Sequence, residues 1–219
     1  MKSSVADIAS LGILGCALLL TSVIVKREFL DPEPRSPTRK VPRRADVQLV
    51  GRVIGKSDAA VSVVVFADFQ CPYCARAQAL IQATLRRNEG RVNVIYRHLP
   101  LQTIHPRAWE AAIASECAGE QGVFHEYHDL LYARQDSIGR IPWQEFAARA
   151  GAAAPESFER CLESEQPNDA VERDVVLARQ LGIDRTPAFI VGDQMYAGVP
   201  PSAWIERRIA AELRRAAKQ

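Results

Sequence analysis

The run Val61-Ser62-Val63-Val64-Val65-Phe66, followed by Cys71-Pro72-Tyr73-Cys74 and Ala75-Arg76-Ala77-Gln78-Ala79-Leu80, decides the fold. The first segment is apolar on both faces, as a central strand is. The last has helical spacing, continued by Ile81 and Leu85. A C-x-x-C pair between strand and helix is what thiol–disulfide chemistry needs. Cys71 falls at the helix N-terminus, where the dipole and free N–H groups favour a thiolate. Cys74 lies one turn on, close enough to close a short disulfide or resolve a mixed one.

Two other readings of the pair are weaker. Zinc needs about four ligands, usually from a second closely spaced pair. Cys117 and Cys161 instead stand alone, 44 residues apart, and no metal site is expected. A purely structural bond across two residues stabilises little through loop closure.

Outward from this core, the chain has 219 residues, 47% hydrophobic and 25% charged, which suits one domain with an appendage. A net charge of +2 gives no electrostatic case for nucleic acid. Ile8 to Val25 is an uncharged stretch of 18 residues, enough to span a bilayer as a helix. It ends Val23-Ile24-Val25-Lys26-Arg27 without a small-x-small cleavage site, so residues 1–25 are expected to be an uncleaved signal anchor contacting membrane lipid. Cys16 within it is read as a membrane-embedded thiol rather than an acylation site. Lys26 and Arg27 after the span oppose an exported domain under the positive-inside rule, whereas an oxidising cysteine pair belongs outside the cytoplasm. The second argument is given more weight. Residues 26–46 form a basic linker whose Asp31–Pro42 portion carries four prolines, expected to be extended and solvated.

The folded part is expected over 47–219. Gln48 to Gly55 reads as a short edge strand and Val92 to Arg97 as a strand parallel to Val61–Phe66, making a βαβ unit. Helical periodicity then covers Arg107 to Ala118, Val123 to Arg134, Trp143 to Ala150, Pro155 to Ser164 and Asp169 to Leu181. Strand character returns at Ala188-Phe189-Ile190-Val191, turns at Gly192-Asp193, and passes through Gln194-Met195-Tyr196 to a last helix near Pro201–Ala217. The pattern is a small α/β domain interrupted by a helical insertion over about residues 106–183.

Together, Phe66-Ala67-Asp68-Phe69-Gln70-Cys71-Pro72-Tyr73-Cys74, Gly182-Ile183-Asp184-Arg185-Thr186-Pro187-Ala188-Phe189-Ile190-Val191 and the insertion between them resemble the DsbA-like branch of the thioredoxin superfamily. The resemblance implies a thioredoxin-like α/β fold with a helical insertion. It implies Cys71 as nucleophile, Cys74 as resolving thiol, Pro72 and Tyr73 as tuning residues, and Thr186-Pro187 as a cis-proline loop facing the cysteines. Cys117 and Cys161 in the insertion are read as a structural disulfide, which some relatives carry, in preference to two buried free thiols. Two positions depart from the family. Arg185 stands where glycine is frequent, either favouring the Cys71 thiolate or merely solvated. Val65 replaces a buried acid, leaving proton handling at Cys74 to water or to Asp68, with Asp68 as a plain turn residue the equal alternative. His125 and His128 are read as helix-surface residues, and nothing assigns a role to His98 or His105.

The function implied is a protein-disulfide oxidoreductase forming disulfides in exported proteins. It is single-pass in the inner membrane, with the catalytic domain on the periplasmic side. It needs no cofactor beyond Cys71–Cys74. Its partners are unfolded exported substrates and a membrane redox protein that resets the pair, and a monomer is expected. A reductase or isomerase of the same superfamily, and a non-catalytic peptide-binding holdase, are the alternatives.

Overall fold

The computed structural model describes residues 38–42 and 50–218. The anchor expected over 1–25, including Cys16, lies outside them, as do residues 26–37 and 43–46 of the linker. The chain divides into Met1–Ser36 and Pro37–Gln219, and every described residue belongs to the second unit. Among the described residues no helix is long and apolar enough to cross a membrane.

The centre of the domain is the expected βαβ unit. β3 (Val61–Ala67) pairs in parallel with β4 (Val92–His98), with Val65 opposite Tyr96. α1 (Pro72–Arg87) joins them and buries Cys74, Ala77, Ile81 and Thr84. Arg86 and Arg87 in its last turn complement the dipole's negative end. β5 (Ala188–Val191) runs antiparallel to β3 and turns at Gly192-Asp193 into β6 (Gln194–Ala197). Gly192 takes φ +63°, the left-handed conformation a two-residue hairpin turn requires. On the far side of β4, β2 (Arg52–Ile54) forms within the edge strand expected over Gln48–Gly55, of which Gln48 and Leu49 lie outside the described residues.

The linker expectation needs correction at its C-terminal end. Thr38–Lys40 forms β1, antiparallel to β6, and the sheet order is β1-β6-β5-β3-β4-β2. Val41 then enters the core at 5% exposure. Strand pairing is satisfied by backbone groups, so a basic, proline-flanked segment can join a sheet with no hydrophobic signal. Basic residues on an edge strand also discourage further pairing. Arg39 reinforces the junction by donating to the carbonyls of Leu181 and Gly182.

Side-chain alternation along β3 divides the core in two. Val63 and Val65 pack with Cys71, Cys74, Ile81 and, from the last helix α7 (Ser202–Ala216), Ile205 and Ile209. Val64 and Phe66 face the other way, against Leu177 and Ala178. Those two belong to α6 (Gln166–Gln180), the last helix of the insertion.

The rest of the insertion comprises α2 (Ala108–Glu120), α3 (Phe124–Ala133), a 3₁₀ turn (Gln135–Ser137), α4 (Trp143–Arg149) and α5 (Pro155–Leu162). α2 is alanine-rich, and Gly119 near its end lets Arg52 approach: a Cβ there would fall 2.5 Å from the guanidinium carbon. Cys117 of α2 is bonded to Cys161 of α5. Arg97 and Asp174, both nearly solvent-free, form an ion pair at 2.6 Å that ties β4 to α6.

Candidate active site

Cys71 is the N-cap of α1, and Pro72 supplies the fixed φ that suits its first position. The first turn contains no acidic residue to oppose a thiolate. Both cysteines are free thiols and buried, Cys71 at 4% and Cys74 at 1% exposure. The Thr186–Pro187 peptide is cis and brings the Thr186 carbonyl within 3.6 Å of Cys71 Sγ.

The two thiols are driven in opposite directions. Cys71 is lowered from 9.0 to about 6, chiefly by the hydrogen bond from Cys74; burial opposes this, and Thr186 and the N–H groups of Cys74 and Tyr73 add to it. Cys74 is pushed far above the usual thiol range by burial, and its bond to Cys71 pushes it further. One thiol therefore carries the charge and the other keeps the proton. Tyr73, between them, is exposed and stacks under the Arg76 guanidinium at 4.2 Å.

The turn before Cys71 is heavily braced. Asp68 is buried, which removes the reading of it as a plain turn residue. Its carboxylate accepts from the N–H of Gln70 at 2.7 Å and of Leu101 at 2.8 Å, and contacts His105 Nδ1 at 2.7 Å. With three such contacts the carboxylate holds the turn in place. Its carbonyl accepts from the Cys71 N–H at 3.1 Å and the Tyr132 hydroxyl at 3.3 Å. Gln135, from the insertion, donates to Phe69 O at 2.6 Å and Cys71 O at 3.0 Å.

Val65, where the family often has an acid, is apolar and buried beside its register partner Tyr96. The hydroxyls of Tyr96 and Tyr132 lie 2.9 Å apart, and burial raises both well above the usual phenol range. Around them pack Phe69, His98, Phe124 and His128. His128 is thus no surface residue. It is fully buried, burial lowers its pKa, and Nδ1 contacts Asp129 at 2.8 Å. The surface reading holds only for its helix neighbour His125, which is 43% exposed. His98 Nε2 meets Glu116 at 2.9 Å, and Glu116 also receives Arg52. Burial alone would raise Glu116, but His98 and Arg52 bring it down to about 2.

Arg185 is exposed and paired with Asp184 at 3.0 Å, so the cation before the cis-proline is a solvated ion pair. Among the described residues no group of histidines, cysteines and carboxylates is arranged to hold a metal. Sequence reasoning missed Tyr96, Tyr132 and Gln135, because single polar residues from distant elements leave no local spacing to detect.

A strand-to-helix cysteine pair opposite a cis-proline, on this sheet, defines a thiol–disulfide oxidoreductase-like site. The thioredoxin family model matches residues 48–210, and the chain belongs to that family, as a DsbA-like member of the thioredoxin superfamily. It is similar to a thioredoxin-like oxidoreductase from Silicibacter pomeroyi DSS-3, at 27% identity and TM-score 0.63, over 77% of this chain and 92% of that one. Pseudomonas aeruginosa DsbA2 aligns at 25% identity and TM-score 0.60, over 72% and 91%. A stretch of 146 residues is also 36% identical to the Na(+)/H(+) antiporter NhaA 3 of Salinispora tropica. The match covers 67% of this chain, which spans only 22% of that protein's length, so the likeness is to a segment of it.

Proposed function

We propose that the chain is a membrane-anchored, extracytoplasmic oxidoreductase that donates the Cys71–Cys74 disulfide to exported proteins. The observation that carries this reading is the asymmetry of the two thiols, Cys71 at about 6 and Cys74 far above 9.0. A substrate thiolate attacks Cys71 Sγ, the Cys71–Cys74 bond breaks, and Cys74 leaves and takes up a proton. A second substrate thiolate then attacks the substrate sulfur of the mixed disulfide and expels Cys71. A low-pKa thiol is the better leaving group, and stabilising the reduced form makes the pair an oxidant. The substrate loses two electrons and the cysteine pair gains them. A membrane redox partner takes them away and restores the disulfide. The cis-proline loop, with the Thr186 carbonyl 3.6 Å from Cys71 Sγ, supports this reading, in which its backbone would align an extended substrate peptide.

The test is the reduction potential of the full-length chain in glutathione buffers, with thiols counted by alkylation and mass. A value near that of DsbA itself, about −120 mV, supports the donor role. A value near about −270 mV makes the protein a reductase. Retention of function by Cys71→Ser would leave a peptide-binding holdase.

A further inference from the structure

The turn that presents Cys71 is stitched to the insertion by two side chains three residues apart, Tyr132 at the end of α3 and Gln135 in the 3₁₀ turn. Tyr132 donates to Asp68 O at 3.3 Å. One amide of Gln135 reaches both Phe69 O at 2.6 Å and Cys71 O at 3.0 Å, one N–H for each. Cys71 O also accepts from the N–H of Cys74 at 3.0 Å and Ala75 at 3.1 Å, the first hydrogen bonds of α1. Gln135 therefore grips the peptide group that sets the direction of the helix start.

We propose that Gln135 is a positioning residue for the reactive thiol: its amide fixes the Phe69–Cys71 backbone so that the helix N-terminus addresses Cys71 Sγ. The proposal rests on Cys71 being the exchanging thiol. The N–H groups of Tyr73 and Cys74 stabilise a thiolate only while the N-cap peptide holds its orientation. Without Gln135, the Phe69 carbonyl loses that donor and the N-cap peptide is held from the helix side alone. The 3₁₀ turn belongs to the insertion, so the insertion sets the chemistry of a thiol carried by the thioredoxin-like core.

The experiment titrates the ultraviolet thiolate absorbance of the reduced full-length chain, comparing wild type with Gln135→Met and Gln135→Ala. Methionine matches glutamine in length and bulk but donates nothing, which guards against a variant that merely fails to fold. Wild type is expected to titrate near 6, and both variants about one pH unit higher, giving about tenfold less thiolate below both midpoints. The reduction potential should move to more reducing values in step. Midpoints unchanged in a folded Gln135→Met protein would overturn the proposal. Loss of unfolding resistance equally in the oxidised and reduced forms, with an unchanged midpoint, would show a merely structural contact and overturn it too. A wild-type midpoint near 9 would remove the exchange reading itself, and the proposal with it.

Discussion

Acidification should destabilise the reduced protein more than the oxidised one. The thiol of Cys71 sits at about 6 in the folded chain against 9.0 for an unperturbed thiol. Its folded value is depressed, so its stabilisation is complete above 9 and is lost as pH falls through 6. At pH 7 the two values correspond to about 1.4 kcal/mol, and at pH 5 to about 0.1 kcal/mol. To order of magnitude the difference is about 1 kcal/mol. For a two-electron couple that is about 20 mV of oxidising power at neutral pH. The burial-raised Cys74 stays protonated throughout this range and does not enter. The assay is urea unfolding of the oxidised and reduced forms at pH 5, 6, 7 and 8. Glu116, His125 and His128 titrate in both forms and cancel in the comparison. The reduced form should gain about 1 kcal/mol on the oxidised form between pH 5 and pH 7, and Cys71→Ser should abolish the gain. Parallel curves for the two forms would refute the thiolate argument at its root.

Other consequences follow from the same contacts. The Cys117–Cys161 bond closes a loop of 44 residues, so replacing both with serine should cost about 4 kcal/mol at most by chain entropy, read as a lower urea midpoint. A loss below about 1 kcal/mol would mean that the insertion holds itself together without the bond. Asp174→Ala removes the carboxylate that meets both Arg97 and the His98 N–H, and should cost about 3–5 kcal/mol in equilibrium unfolding, against under about 1 kcal/mol for the exposed pair of Arg185 and Asp184. Glu116, held at about 2 against 4.5, stabilises above pH 4.5 and loses that stabilisation as pH falls through 2. Wild type should therefore exceed Glu116→Gln in stability at pH 6 and converge on it near pH 2, and a constant gap across acid titration would contradict this.

The local signals in the sequence were strong where one short segment carried both pattern and chemistry. The apolar run Val61–Phe66 announces a strand buried on both faces, and the Cys71–Cys74 spacing places a reactive thiol at a helix start. Helix-period runs between Arg107 and Leu181 announce the insertion, and each of the five observed helices begins and ends within three residues of its expected limits. The pattern failed where polar residues were involved. His128 looks like any helix histidine, because its burial comes from Phe69, Tyr96 and Tyr132 on other elements. Asp68 looks like a turn residue, because the His105 and Leu101 groups that occupy its carboxylate are more than thirty residues away. Thr38–Lys40 looks like linker, because the partner that makes it a strand is β6, near the other end of the chain.

The sequence alone determined the βαβ unit, the place of the Cys71–Cys74 pair at a helix start, the site of the cis-proline loop and the presence of an inserted helical region. Each depends on neighbours along the chain: hydrophobic period, a helix N-terminus, a proline before a strand. Only the tertiary structure decided which polar groups sit beneath and around the thiols. Tyr96 lies beside Val65, Asp68 braces the turn, and Gln135 crosses from the insertion to the N-cap carbonyl. A hydrogen bond acts over about 3 Å of space and is indifferent to separation along the chain, so the residues that set the thiol's environment are visible only once the chain has folded.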